Sequence, residues 1–283
     1  LNTNEMIKKK ILVPIDFSKC SINALNNAIK VAKRMNRELL LVNAFLVPVT
    51  HVEFGGATMM GEIAHEMELN IEKQFKKLVK DTPELKFVDY QYTKGHGSVR
   101  DLVYAALENQ DIFMIVMGTH GAKGIDEVIL GSNTYSVIKA ANVPVMVIPE
   151  NAGANHFNKI ALTSDYKNID DLKIFNPLIQ FADTFRAEID IIHFTTTDKL
   201  SHEEIEMAKN IESYFKKVRH SYHVSEVSEN FEEAIEAYIK KHKIDLLTMV
   251  PRKHSIFDKI FGESSWTRRM VFHSSTPLLI LPT

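Results

Sequence analysis

Glycines and side-chain oxygens crowd one stretch of the chain: Met117-Gly118-Thr119-His120-Gly121, nine intervening residues, then Gly131-Ser132-Asn133-Thr134. A phosphate group asks for this mixture. Glycine lets backbone N–H groups approach an anion without a Cβ in the way, and a helix opening after Gly131 offers unpaired N–H donors and the positive end of its dipole. Ser132 adds a hydroxyl donor. The same residues also have a purely structural reading, in which Gly118 ends a strand, Gly121 and Gly124 make a turn, and Gly131-Ser132 caps a helix.

Asp16 is the second candidate. It closes the first apolar run, and in an open parallel sheet the carboxyl end of that strand lies beside the carboxyl end of the fourth, where Gly118 sits, across the topological switch point. An acidic side chain there can accept from ribose hydroxyls or an adenine amino group. It can also cap the next helix, a role for which Ser18 and Ser21 compete.

Other chemistry is poorly supported. Of the twelve histidines, His220 and His223 are the closest pair, but an i, i+3 spacing on a strand puts them on opposite faces, and the reading assigns no metal site. Cys20 has no histidine near it in sequence, and no G-x-S-x-G elbow occurs, so no catalytic residue is assigned.

The elements that must hold these residues come from an internal repeat. Lys10-Ile11-Leu12-Val13-Pro14-Ile15-Asp16 returns in outline as Lys159-Ile160-Ala161-Leu162-Thr163-Ser164-Asp165. The closing Val143-Pro144-Val145-Met146-Val147-Ile148-Pro149 returns as Thr276-Pro277-Leu278-Leu279-Ile280-Leu281-Pro282. This is a tandem duplication, with domains at 6–150 and 159–283 and a linker at 151–158. In the first copy, apolar runs at 11–15, 39–45, 87–92, 112–117 and 143–148 predict five strands, and helical periods lie between them. In the second, strands are expected near 159–164, 188–194, 220–226, 244–249 and 277–281. Strand and helix alternate throughout, which predicts two doubly wound α/β domains, each with a five-stranded parallel sheet. The irregular segment 48–61 reads as a flap after the second strand. Both closing strands are short, apolar sheet edges, and they are expected to pair antiparallel beyond Pro144 and Pro277.

Composition narrows the partners. The 283 residues carry 34 Lys+Arg against 36 Asp+Glu, a net charge of −2, so no basic field exists to hold a nucleic acid. No apolar run approaches the length of a membrane span. A single cysteine and no apolar leader point to a reducing cytoplasm.

The chain resembles a tandem universal stress protein. Its first copy carries the pattern of that family's ATP-binding branch, G-x2-G-x9-G-[S/T], as Gly118, Gly121, Gly131 and Ser132, together with Val13-Pro14-Ile15-Asp16 and the closing Val-Pro-Val-x-Val-Ile strand. The resemblance implies a Rossmann-like fold of the adenine nucleotide alpha hydrolase-like kind. It also implies ATP, with or without Mg2+, as the ligand of a nucleotide-dependent stress-response factor, and an intramolecular pseudo-dimer of the two copies, open to further self-association. Asp16 and the backbone around Ala44 would hold the adenosine, with Pro14 and Ile15 leading into it. Met117, Gly118, His120, Gly121, Gly131, Ser132, Asn133 and Thr134 would line the ribose and phosphates. Asn43-Ala44 stands where the family often has His-Val, and Phe113 where it usually has Asp. The second copy keeps Asp165 but places Val250, Lys253 and Glu263 at the glycine positions, or Pro251, His254 and Ser264 with one residue inserted. ATP is therefore expected in the first domain alone. An interaction protein without ligand and a slow ATP hydrolase are the alternatives.

Overall fold

The computed structural model describes residues 9–47, 56–119, 132–153, 156–163, 171–195, 201–226, 231–250 and 276–282. The described residues up to Ala141 form one compact unit and those from Asn142 onward another. Among them, no helix is long and apolar enough to cross a membrane.

The first unit runs β1 (Lys10–Pro14), α1 (Lys19–Met35), β2 (Glu38–Phe45), α2 (Gly56–Asp81), β3 (Tyr90–His96), α3 (Val99–Asn109), β4 (Ile112–Gly118) and α4 (Ser132–Ala140). Its strands lie in the order β3-β2-β1-β4, all parallel. β1 lies between β2 and β4, which explains its near-continuous apolar sequence, and every residue of β4 is buried as well. Helix α1 buries Cys20, Ala24, Leu25, Ala28, Val31 and Ala32 along one stripe. It ends where Asn36 turns left-handed at φ 51°.

Three expectations change here. The third strand lies at Tyr90–His96, not 87–92: residues Pro83–Phe87 form a 3-10 turn that leaves Phe87 57% exposed. The apolar run misled because β3 is the outermost strand of this unit, so it carries polar side chains and needs no apolar continuity. The segment 48–61 is not irregular throughout, since α2 begins at Gly56. Residues 48–55 lie outside the described residues. Finally, four parallel strands belong to the first unit rather than five.

The second unit contains β5 (Val145–Ile148), β6 (Lys159–Thr163), α5 (Asn176–Phe185), β7 (Glu188–Thr195), α6 (His202–Tyr214), β8 (Arg219–Glu226), α7 (Phe231–His242), β9 (Leu246–Met249) and β10 (Leu278–Ile280). Five parallel strands, β10-β9-β6-β7-β8, are joined by β5, which runs antiparallel to β10. The closing strands pair as Leu278 with Val147, Leu279 with Met146 and Ile280 with Val145, beyond both prolines as expected. The core of this unit is aromatic: Phe157 meets Phe181 edge-on at 5.4 Å, and Phe175 tilts against Phe215 at 5.3 Å.

Candidate functional site

The carboxyl end of β1 is built by a turn that is strained. Ile15 N–H still donates to Val42 O at 2.8 Å, extending the ladder one residue past the strand. Phe17 then adopts φ 63°, an uncommon conformation for a bulky residue. Its ring is braced edge-on by Phe75 of α2 at 5.1 Å. The turn leaves Asp16 exposed while Pro14 and Ile15 are buried.

Ser18, not Asp16, caps α1. Its Oγ accepts from Ser21 N–H at 3.1 Å and donates to Asp16 Oδ1 at 2.6 Å, while Ser18 N–H also donates to Oδ1 at 3.1 Å. Asp16 thus orients the cap. On the neighbouring strand, Ala44 is half-buried and pairs with Gly95. Beside it Asn43, 5% exposed, donates its amide to Ile15 O at 2.7 Å and clamps the carboxyl ends of β1 and β2 together.

Gly118 ends β4, with Met117 buried before it. The absence of a side chain there serves packing. A Cβ on Gly118 would stand 2.6 Å from Cys20 Sγ and 3.1 Å from the Cys20 carbonyl carbon and oxygen. A side chain at Gly118 would therefore collide with the first turn of α1. Cys20 is buried, its sulfur 3.6 Å from Thr119 Oγ1.

Thr134 ties the next helix to this strand end. Its Oγ1 hydroxyl is 3.0 Å from Gly118 O and 3.3 Å from Thr119 O, sharing one proton between the two carbonyls. The first turn of α4 is thereby held at the end of β4, with Ser132 and Asn133 exposed and Thr134 buried. An anion at that turn would meet the unpaired N–H groups of a helix start beside two accessible polar side chains.

Because β1 lies between β2 and β4 and all three are parallel, Asp16, Ala44 and Gly118 share one end of the sheet. Of the residues expected at the site, the structure assembles Pro14, Ile15, Asp16, Ala44, Met117, Gly118, Ser132, Asn133 and Thr134 around that end. His120, Gly121 and Gly131 lie outside the described residues. Sequence reading missed the clamp made by Asn43 and the brace made by Phe17, although a lone amide in the run Leu39-Leu40-Leu41-Val42-Asn43 was a visible signal.

The register of the second unit fixes which of its residues corresponds to Gly118. In the first sheet Leu12 pairs with Ile115, and in the second its counterpart Ala161 pairs with Leu247. Three residues further along each strand stand Gly118 and Val250, so the ungapped correspondence holds at this position. Asp165 and residues 251–275 lie outside the described residues.

The sequence profile of the universal stress protein family matches residues 8–149. A universal stress protein of Methanocaldococcus jannaschii is 30% identical over 150 residues, covering 52% of this chain and 86% of the relative. One from Bacillus subtilis is 26% identical over 144 residues, 49% of this chain and 97% of the relative. The crystal structure of a universal stress protein from Archaeoglobus fulgidus superposes with a TM-score of 0.66 at 17% identity, over 96% of this chain and 98% of that one. A putative universal stress protein from Pseudomonas aeruginosa gives 0.59 at 13% identity, over 97% and 93%. These two structures share its fold, and the profile match over half of its length makes the chain a member of the universal stress protein family.

Proposed function

We propose that the first repeat, residues 6–150, binds ATP and that the protein acts as a nucleotide-dependent stress-response factor rather than as a catalyst. One observation carries the reading: Thr134 anchors the first turn of α4 to the carbonyls of Gly118 and Thr119, at the same sheet end as Asp16. That arrangement pairs a carboxylate suited to ribose or adenine with a helix start suited to phosphate.

By the family pattern, Asp16 and the Ala44 backbone would hold the adenosine. Gly118, His120, Gly121, Gly131, Ser132 and Asn133 would hold ribose and phosphates. Mg2+, where present, would arrive on the phosphate oxygens. The second repeat, residues 159–283, is proposed to take no nucleotide in this mode, since Val250 replaces Gly118. Pairing of β5 with β10 is in keeping with a pseudo-dimer of repeats, in which the fused copy satisfies an edge that a single copy would leave open.

The test is calorimetry with ATP on the full chain, alongside nucleotide analysis of the purified protein by absorbance at 260 nm. One equivalent is expected, and it should raise stability by about 2.7 kcal/mol at a hundredfold excess over Kd. Ser132→Asp puts a carboxylate at the exposed helix start and should abolish binding with the fold intact, as should Asp16→Ala on the nucleoside side. A stoichiometry of two, or unchanged binding in both variants, overturns the assignment.

A further inference from the structure

The second unit carries a buried charge that the nucleotide reading does not use. Asp190, 1% exposed and third residue of β7, accepts from Ser221 Oγ at 2.9 Å and Tyr238 OH at 3.0 Å, with Lys159 Nζ 3.3 Å away. Ser221 is on β8, the edge strand of this unit, and Tyr238 on α7. Burial and the neighbouring carboxylate push the Tyr238 phenol well above its ordinary range, so it stays a donor.

A proton count then fixes His223. Ser221 has one hydroxyl proton, and Asp190 takes it. His223 Nε2 stands 2.9 Å from Ser221 Oγ, so it must be the donor in that contact. Neutral His223 therefore carries its proton on Nε2 and a bare lone pair on Nδ1. The order Asp190–Ser221–His223 is not that of a hydrolytic triad, in which the imidazole stands between hydroxyl and carboxylate. It matches instead the outer support of a metal-bound histidine, whose second nitrogen donates into a polar relay that holds the ring in place.

A second imidazole is at hand. His242, in the last turn of α7, stacks on Tyr238 with centroids 4.0 Å apart, and its centroid is 6.1 Å from that of His223. Imidazoles bound at about 2.0–2.1 Å to one ion place their centroids between about 5 and about 6.4 Å apart as the angle at the metal opens from tetrahedral to linear. The observed 6.1 Å lies toward the wide-angle end of that range. Both rings are part-exposed beside the edge strand, so an ion and its waters can reach them.

We propose that His223 and His242 form an open two-imidazole site for a divalent transition metal of the class that prefers nitrogen donors, such as Zn2+, Ni2+ or Cu2+. Among the described residues no group of three or more His, Cys, Asp or Glu could hold a metal ion, so two donors come from the protein and water supplies the rest. Asp190, Ser221 and Tyr238 are positioning residues in this site. The proposal is independent of the nucleotide assignment.

The experiment titrates the full chain with Ni2+ and with Cu2+, by calorimetry and by electron paramagnetic resonance of the copper form. The expected result is a strongest site of one ion per chain showing two imidazole nitrogens. His223→Ala and His242→Ala should each weaken that site about tenfold or more, and Ser221→Ala by a smaller factor. His220→Ala, on the opposite face of β8, should leave it unchanged. If an alanine variant fails to fold by circular dichroism, the glutamine variant at the same position replaces it. Absence of a one-equivalent site, a single bound imidazole, equal binding in the His223 and His242 variants, or loss of the site in His220→Ala overturns the proposal.

Discussion

The two units share a register and differ in what that register carries. Leu40 pairs with Gln91 in the first, and the corresponding pair in the second is Asp190 with Ser221. Two residues further along, Val42 and Thr93 correspond to Ile192 and His223. Gln110, two residues before Ile112, corresponds to His242, two before Ile244. In the first unit Lys10 divides itself between Gln91 Oε1 at 3.2 Å, Gln110 Oε1 at 3.0 Å and the partly exposed Glu38 carboxylate at 3.9 Å, whereas Lys159 faces a buried carboxylate. At the other end of the sheet the order of specialisation reverses. There the first unit has Gly118 against Cys20 and a helix start tied down by Thr134, while the second has Val250. Duplicated scaffolds keep their inner strands because burial on both faces demands it. They diverge at strand ends and on the face beside an edge strand, where the sheet itself sets fewer constraints.

The largest test of this contrast is Asp190→Ala. It leaves Lys159 without its partner and should cost the second unit about 3 kcal/mol in chemical denaturation. The paired change Asp190→Leu with Lys159→Met, which brings the site closer to Leu40 of the first unit, should recover most of that loss. An Asp190→Ala protein of unchanged stability would mean that the polar cluster does not govern this unit's stability.

Gly118→Val comes next. Its Cβ meets Cys20, so stability should fall by about 1–3 kcal/mol whether or not ATP is present. Adding Cys20→Ala should relieve only part of this, since the Cys20 backbone also lies at 3.1 Å from the added Cβ. The mirror substitution Val250→Gly should not confer ATP binding on the second unit. A Gly118→Val protein of wild-type thermal stability would show that this glycine does not face the helix.

Thr134→Val keeps shape and removes the shared hydroxyl proton. About 1 kcal/mol of stability should go, with weaker ATP binding measured by calorimetry, because α4 loses its tie to Gly118 and Thr119. Unchanged affinity would separate helix placement from binding.

The smallest effect concerns acid. Hydrogen bonds from Ser98 hold the Asp101 carboxyl below its ordinary range, closing a capping box at the start of α3. A depressed carboxylate stabilises the fold at pH values above its unfolded range, and that contribution is lost as pH falls through the folded value. Ser98→Ala should therefore flatten the acid limb of the stability curve for the first unit. An unaltered acid limb would show that the box is silent.

Much of this was legible in the residues alone. The repeat, the alternation of strands and helices, the apolar strands β1 and β4, the helix after Gly131 and the antiparallel closing strands all follow from apolar periodicity and edge logic. That logic fails where burial is one-sided: β3 at Tyr90–His96 is polar, so the apolar run before it drew the strand too early. It fails also at Gly56–Gly61, where glycines and methionines open the long helix α2 instead of a loop.

The sequence by itself determined the family pattern, since Gly118, Gly121, Gly131 and Ser132 are spaced along one stretch of chain, and their spacing needs no third dimension to be read. Only the tertiary structure decided what each residue faces. Gly118 is a glycine because Cys20, 98 positions earlier, passes within 3 Å of where its side chain would be. Asp190, the pair Ser221 and His223, and His242 come from three separate stretches of the chain and meet because parallel strands bring equal register positions side by side and a helix crosses over them. A spacing rule sees neighbours along the chain, and the histidine pair it weighed, His220 and His223, is the one that strand geometry separates.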